Sequence, residues 1–196
     1  TMHQRDIAFS PVARDEIRSL TDAVMETLDT TLTCYRNRDH ALALHVEPLE
    51  EVVDLMQEVL KNRHIERLKA GACTIELGTQ FLELLINLER ISDHALAIAE
   101  IYAKMHKEEM VFSDKAMAEL NLYSNAVYEI MSMTCKALNE DDMKIAKRIE
   151  PLEEVINGLN ATIKKQHIKR LQKGKCTIEL GIALENLLNN YERVAD

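Results

Sequence analysis

The chain has no tryptophan, and aromatic residues make up only 4% of its 196 positions. Leu, Ile, Met, Ala, Glu and Lys dominate instead, a composition that suits long packed helices rather than sheets. Positive charge is also in deficit: 24 Lys and Arg against 33 Asp and Glu leave a net charge of −9. Binding to nucleic acid through its phosphates needs clustered Lys and Arg, so that class of partner is disfavoured, and cations or basic partners are favoured. The four cysteines, Cys34, Cys73, Cys135 and Cys176, form no CxxC pair and are too sparse for a disulfide-stapled domain. Buried thiols in a reducing compartment are the expectation. No secretory leader opens the chain, and no apolar run approaches the roughly 20 residues that span a bilayer, so the sequence reads as a soluble domain. HExxH, P-loop, GxGxxG and GxSxG signatures are missing. No histidine lies three residues after a glutamate, as a ferritin-like di-iron site requires. These absences argue against an enzyme.

What the chain does have is an internal duplication. Glu47-Pro48-Leu49-Glu50-Glu51-Val52 recurs as Glu150-Pro151-Leu152-Glu153-Glu154-Val155, an offset of 103 residues. The same offset aligns His64 with His167, Arg67 with Arg170, and the run Cys73 to Gly78 with Cys176 to Gly181. It ends by aligning Asn87 to Asp93 with Asn190 to Asp196. A repeat of half the chain length predicts two similar subdomains sharing a core, and a function carried in pairs.

Within each copy the apolar spacing predicts three helices. Ser10 before Pro11 is an N-cap followed by a residue preset for the first turn. Ile17, Leu20, Val24, Leu28 and Leu32 then form one stripe. A second helix is predicted from about Asp39 to Leu68, with Leu42, Val46, Leu49, Val52, Val53, Met56, Val59 and Leu60 facing inward and Gly71 at its C-terminal cap. Thr74 caps the third, Ile75 to about His106. Ser113 caps the next, and the second copy follows as Asp114 to Asn139, about Asp141 to Gln172, and Thr177 to Asp196. Pro48 and Pro151 fall inside the second helix of each copy, where a proline either kinks the axis or marks the true helix start. Gly78 and Gly181 read as points of close helix contact.

Four residues are about one helical turn, so Glu89 and Asp93 share a face, as do Glu192 and Asp196. Like charges at that spacing destabilise an isolated helix by about 0.2–0.5 kcal/mol, so a duplicated pair calls for a compensating partner, either a basic side chain or a cation. Arg90 and Arg193 point about 100° away and suit a neighbouring helix better. Carboxylates from several helices would suit an oxygen-preferring metal ion; a solvated acidic surface is the plainer reading. His64 and His167, in the basic last turns of the second helices, are expected as cations favoured by the helix dipole. His94 is open between a ligand, a group supporting one, and a surface histidine.

The run LERISDHALAIAE, Leu88 to Glu100, resembles the signature LERIGDHAxNIAE that ends the third helix of each repeat in PhoU proteins. The resemblance covers nearly the whole chain. It implies an all-α fold of two antiparallel three-helix bundles, six long helices in tandem, here residues 1–109 and 110–196 with the last helix truncated. Carried over by position, it implies Glu89 and Asp93 as ligands of one metal cluster and Glu192 and Asp196 of the other. Glu47, Glu50, Glu150 and Glu153 on the adjacent helices are candidates to complete the shells. The implied ion is iron, zinc, manganese or magnesium. Ser92 and Ala195 replace the usual glycine, and Ala97 the asparagine. The segment from His64 to Ala95 is most similar to the PhoU domain attached to sodium/phosphate cotransporters. That implies a regulatory domain at the cytoplasmic face of the membrane, partnered by a transporter domain of the same polypeptide, with a homodimer left open. A free-standing PhoU regulator of an ABC phosphate transporter and its sensor kinase, or an acidic docking scaffold without metal, are the alternatives.

Overall fold

The protein is described by a computed structural model covering residues 9–196; positions 1–8 of the first repeat lie outside the described residues. Among the described residues, six long helices and two single-turn ones account for the regular structure: α1 (Pro11–Asn37), α2 (His40–Ala43), α3 (Val46–Lys69), α4 (Ile75–Lys107), α5 (Asp114–Glu140), α6 (Met143–Ala146), α7 (Ile149–Gln172) and α8 (Ile178–Ala195). Helices α1, α3 and α4 pack into one bundle and α5, α7 and α8 into the other, while α4 against α8 and α1 against α5 join them. One apolar core, including Leu28, Leu32, Ile98, Tyr123, Leu184 and Tyr191, therefore runs through both repeats. The buried residues of a smaller cluster around Leu20, Val53 and Phe81 come from the first repeat, with Leu138 of the second packed against them. Among the described residues no helix is long and apolar enough to cross a membrane.

Helix starts follow side-chain chemistry. Ser10 Oγ accepts the Ala13 N–H at 3.2 Å, Thr74 Oγ1 that of Leu77 at 3.3 Å, Ser113 Oγ that of Ala116 at 3.4 Å, and Thr177 Oγ1 that of Leu180 at 3.2 Å. Each bond satisfies an N–H that has no partner within the helix. After α3, Gly71 takes φ +68°, and the Ala72 N–H reaches the Arg67 carbonyl at 2.9 Å. This is the left-handed cap for which glycine pays no Cβ penalty.

The predicted second helix is two helices. The chain turns at Leu44 and His45, and α3 begins at Val46, so Pro48 occupies the third helical position rather than an interior one. Its missing N–H is one that would have had no intrahelical acceptor, and no kink is needed. Pro151 repeats this in α7. Two of the side chains predicted inward on α3 point out: Val52 is 48% and Val59 47% exposed, while Val46, Val53, Leu60 and His64 are buried. Buried positions seven residues apart form a narrow stripe, and Val52 and Val59 lie one residue, about 100°, off it. The thiols also divide. Cys34 and Cys135 are buried, and burial pushes each up to about 11. Cys73 and Cys176, expected buried, are partly exposed in the turns before α4 and α8.

Candidate metal centre

Packing of α3 on α4 sets two acidic pairs of identical spacing opposite each other, Glu50 and Asp54 on α3, Glu89 and Asp93 on α4. Carboxylate oxygens of Glu50, Asp54 and Asp93 all lie within 4.8 Å of one another, with Glu50 half-buried and the two aspartates exposed. Among the described residues no Lys, Arg or His forms an ion pair with any of these four carboxylates. Their charges are felt directly. Partial burial, then Asp54 and Asp93, push the Glu50 carboxyl up to about 7. Burial and Asp93 raise Asp54, and burial, Asp93 and Asp54 raise Glu89 against a smaller opposing effect of Arg90. Raised carboxyls in a group without an ion pair mean that added positive charge is favoured there, whether a proton or a metal ion that displaces it. Three oxygen donors at this separation can converge on one ion with side-chain rotation alone, and an all-carboxylate set suits magnesium, manganese, calcium or iron(III).

Set against the sequence reading, Asp93 stands at the centre of the cluster and Glu50, a weaker candidate, is a full member. Glu89 sits beside the three and is influenced by them, but lies outside their shared radius. Asp54 was missed. Its signal was present, since Glu50-x-x-x-Asp54 has the spacing of Glu89-x-x-x-Asp93; the pairing of the two helices had to be seen before it could be read.

In the second repeat the equivalent carboxylates do not gather. Asp54 has Asn157 as its counterpart. Glu192 lies 3.7 Å from the Lys164 ammonium, and Asp196 lies 3.9 Å from Arg193. Glu47, Glu150 and Glu153 join no group of three potential ligands among the described residues. His94 turns towards the other repeat, its Nδ1 2.9 Å from the Asn190 side-chain oxygen on α8.

The two repeated histidines are not cationic helix caps. His64 is only 2% exposed and stacks on Phe81 at 4.6 Å between ring centres. Burial and then Arg67 lower its pKa, and burial and then Arg170 lower that of His167. Burial thus disfavours the charged form of both rings, against what a cationic cap would need. Their close neighbours explain the repeated glycines: a Cβ on Gly78 would stand 3.0 Å from His64 Nε2, and one on Gly181 2.9 Å from His167 Nε2. The basic partner beside each histidine serves the bundle instead. Arg67 pairs with buried Glu16 at 2.7 Å, and Arg170 with Glu119 at 2.7 Å. A cavity of about 340 Å³ between the repeats, lined by Tyr35, Tyr102, Met105 and Phe112 among others, includes none of the clustered carboxylates.

Two three-helix units in tandem, with facing acidic pairs on adjacent helices of the first, define an all-helical repeat protein with a carboxylate centre. The family model for the PhoU domain matches residues 17–102 and 120–196. The chain belongs to the PhoU family. It is 21% identical over 186 residues to the phosphate-specific transport system accessory protein PhoU homolog 1 of Thermotoga maritima, covering 93% of this chain and 79% of that relative. The crystal structure of PhoU from Pseudomonas aeruginosa superposes with a TM-score of 0.84 at 16% identity, covering 94% of this chain and 88% of the other. That of the phosphate transport system regulatory protein PhoU from Streptococcus pneumoniae gives 0.81 at 19% identity, covering 94% and 86%.

Proposed function

We propose that this chain is a regulator of phosphate transport, without catalytic activity of its own, whose carboxylate centre binds a metal ion. Family membership supports the regulatory part, since its relatives include an accessory protein and a regulatory protein of phosphate transport systems. The convergence of Glu50, Asp54 and Asp93 without a compensating cation carries the metal part. These three residues would hold the ion, with Glu89 adjacent, and it would supply positive charge that ties α3 to α4. Iron, manganese and magnesium fit an oxygen-only donor set better than zinc, which favours nitrogen and sulfur. Metal content of the purified chain by plasma mass spectrometry, compared with Asp93→Ala, tests the site. Metal should fall in the variant while the far-ultraviolet circular dichroism stays helical, and unchanged stoichiometry would sink the assignment.

For the membrane partner, the names of the relatives favour a PhoU regulator acting on a phosphate-specific transport system. A second reading, regulation of a sodium-coupled phosphate transporter at the cytoplasmic face of the membrane, is favoured by the wording of the segment His64 to Ala95. Uptake of radiolabelled phosphate in cells with and without the gene separates them. An effect present only in sodium-containing medium supports the second reading, an effect independent of sodium supports the first, and no effect refutes both.

A further inference from the structure

We infer that the two repeats have divided the cation chemistry: the first takes a metal ion from solution, while the second compensates its Glu192 internally with the Lys164 ammonium. This rests on the metal reading of the first repeat. The 103-residue offset lets the two regions be compared position by position: Glu50 with Glu153, Asp54 with Asn157, Glu89 with Glu192, Asp93 with Asp196, and Lys61 with Lys164. Two changes work together. Asn157 replaces a carboxylate by a neutral amide, removing one charge that would attract a metal ion. Asn189 replaces the apolar Ile86, and its side-chain oxygen accepts a hydrogen bond from Lys164 Nζ at 3.4 Å. That bond holds the ammonium beside Glu192, 3.7 Å from its Oε2.

Lys61 has no such anchor. It is exposed, and among the described residues it makes no ion pair, so the first repeat keeps its lysine but not the acceptor that would fix it in place. Glu50, Asp54, Glu89 and Asp93 therefore form no ion pair among the described residues, with Arg90 acting on Glu89 only as a minor influence, while Glu192 has Lys164 beside it. A metal ion entering the second repeat would have to displace Lys164 and would find one carboxylate fewer.

The test uses the full chain, stripped with chelator and titrated with manganese(II) alone, with bound and free ion counted by electron paramagnetic resonance. Wild type should take up one equivalent. Asp54→Asn should weaken that uptake at least tenfold, and Glu192→Gln, which keeps the side-chain shape, should leave it unchanged. Asn157→Asp combined with Lys164→Met should create a second equivalent. Two equivalents in wild type, one of them lost in Glu192→Gln, would overturn the inference and leave the first site standing. A single equivalent in both wild type and the double variant would overturn the roles given to Asn157 and Lys164. No bound manganese in wild type would overturn the metal reading and this inference with it.

Discussion

Asp54→Asn should change the thermal stability of this protein in opposite directions with and without metal. Asp54 oxygens lie within 4.8 Å of oxygens on both Glu50 and Asp93. At that distance two unit charges in water repel by about 0.9 kcal/mol. Screening at physiological ionic strength, with a Debye length of about 8 Å, leaves roughly half of this for exposed groups. Glu50, pushed up to about 7, carries only part of a charge near neutral pH, which reduces its share again. The substitution should therefore stabilise chelator-treated protein by about 0.5–1 kcal/mol, roughly 1–4 °C in Tm for a chain of this size. With metal present the order should reverse. At a concentration 100 times the wild-type Kd, binding adds about 2.7 kcal/mol to the wild type, and a variant binding tenfold more weakly gains only about 1.4 kcal/mol. Melts followed by circular dichroism in EDTA and in manganese, each at low and high salt, measure both differences. The EDTA effect should shrink in 1 M salt. A variant less stable than wild type in EDTA, with an unchanged response to metal, would refute the electrostatic account of this cluster.

Further outcomes follow from the packing. Gly158→Ala, with nothing within 4 Å of the new Cβ, should stabilise by about 0.5–1 kcal/mol in urea unfolding. Gly78→Ala should instead cost about 1 kcal/mol, since a Cβ 3.0 Å from the stacked His64 ring overpacks a rigid slot by more than the helix preference returns. His64 and His167 have native pKa values below the unfolded 6.5, so on acidification the unfolded chain takes up protons first. Their contribution is complete above about pH 6.5 and should be lost as pH falls through the native values; an NMR titration placing His64 above 6.5 would contradict this. Arg67→Ala leaves Glu16, only 8% exposed, with just the exposed Arg63 guanidinium at 3.8 Å in place of its close partner and should cost about 2–3 kcal/mol. Replacing both with Glu16→Leu/Arg67→Met should recover much of that loss, and equal destabilisation in the two variants would argue against a buried unpaired charge.

The helices, their caps and the duplication were legible in the sequence because their causes are local. A serine or threonine oxygen caps N–H groups two or three residues away, and an apolar stripe repeats within a turn or two. Glu89 and Asp93 could be placed on one face for the same reason. Which helix that face meets is another matter. The meeting of α3 with α4 made Glu50 and Asp54 the partners of Asp93, buried His64 enough to lower its pKa, and left Val52 and Val59 outside. It also separated two repeats that look alike along the chain. The difference between a free carboxylate group and one closed by a lysine lies in contacts between residues 25–28 apart in sequence, Lys164 with Asn189 and Glu192. Periodicity determines which side chains share a face, because that depends on bonds within one turn; the charge a face finally carries depends on what packs against it, and that was decided only by the tertiary structure.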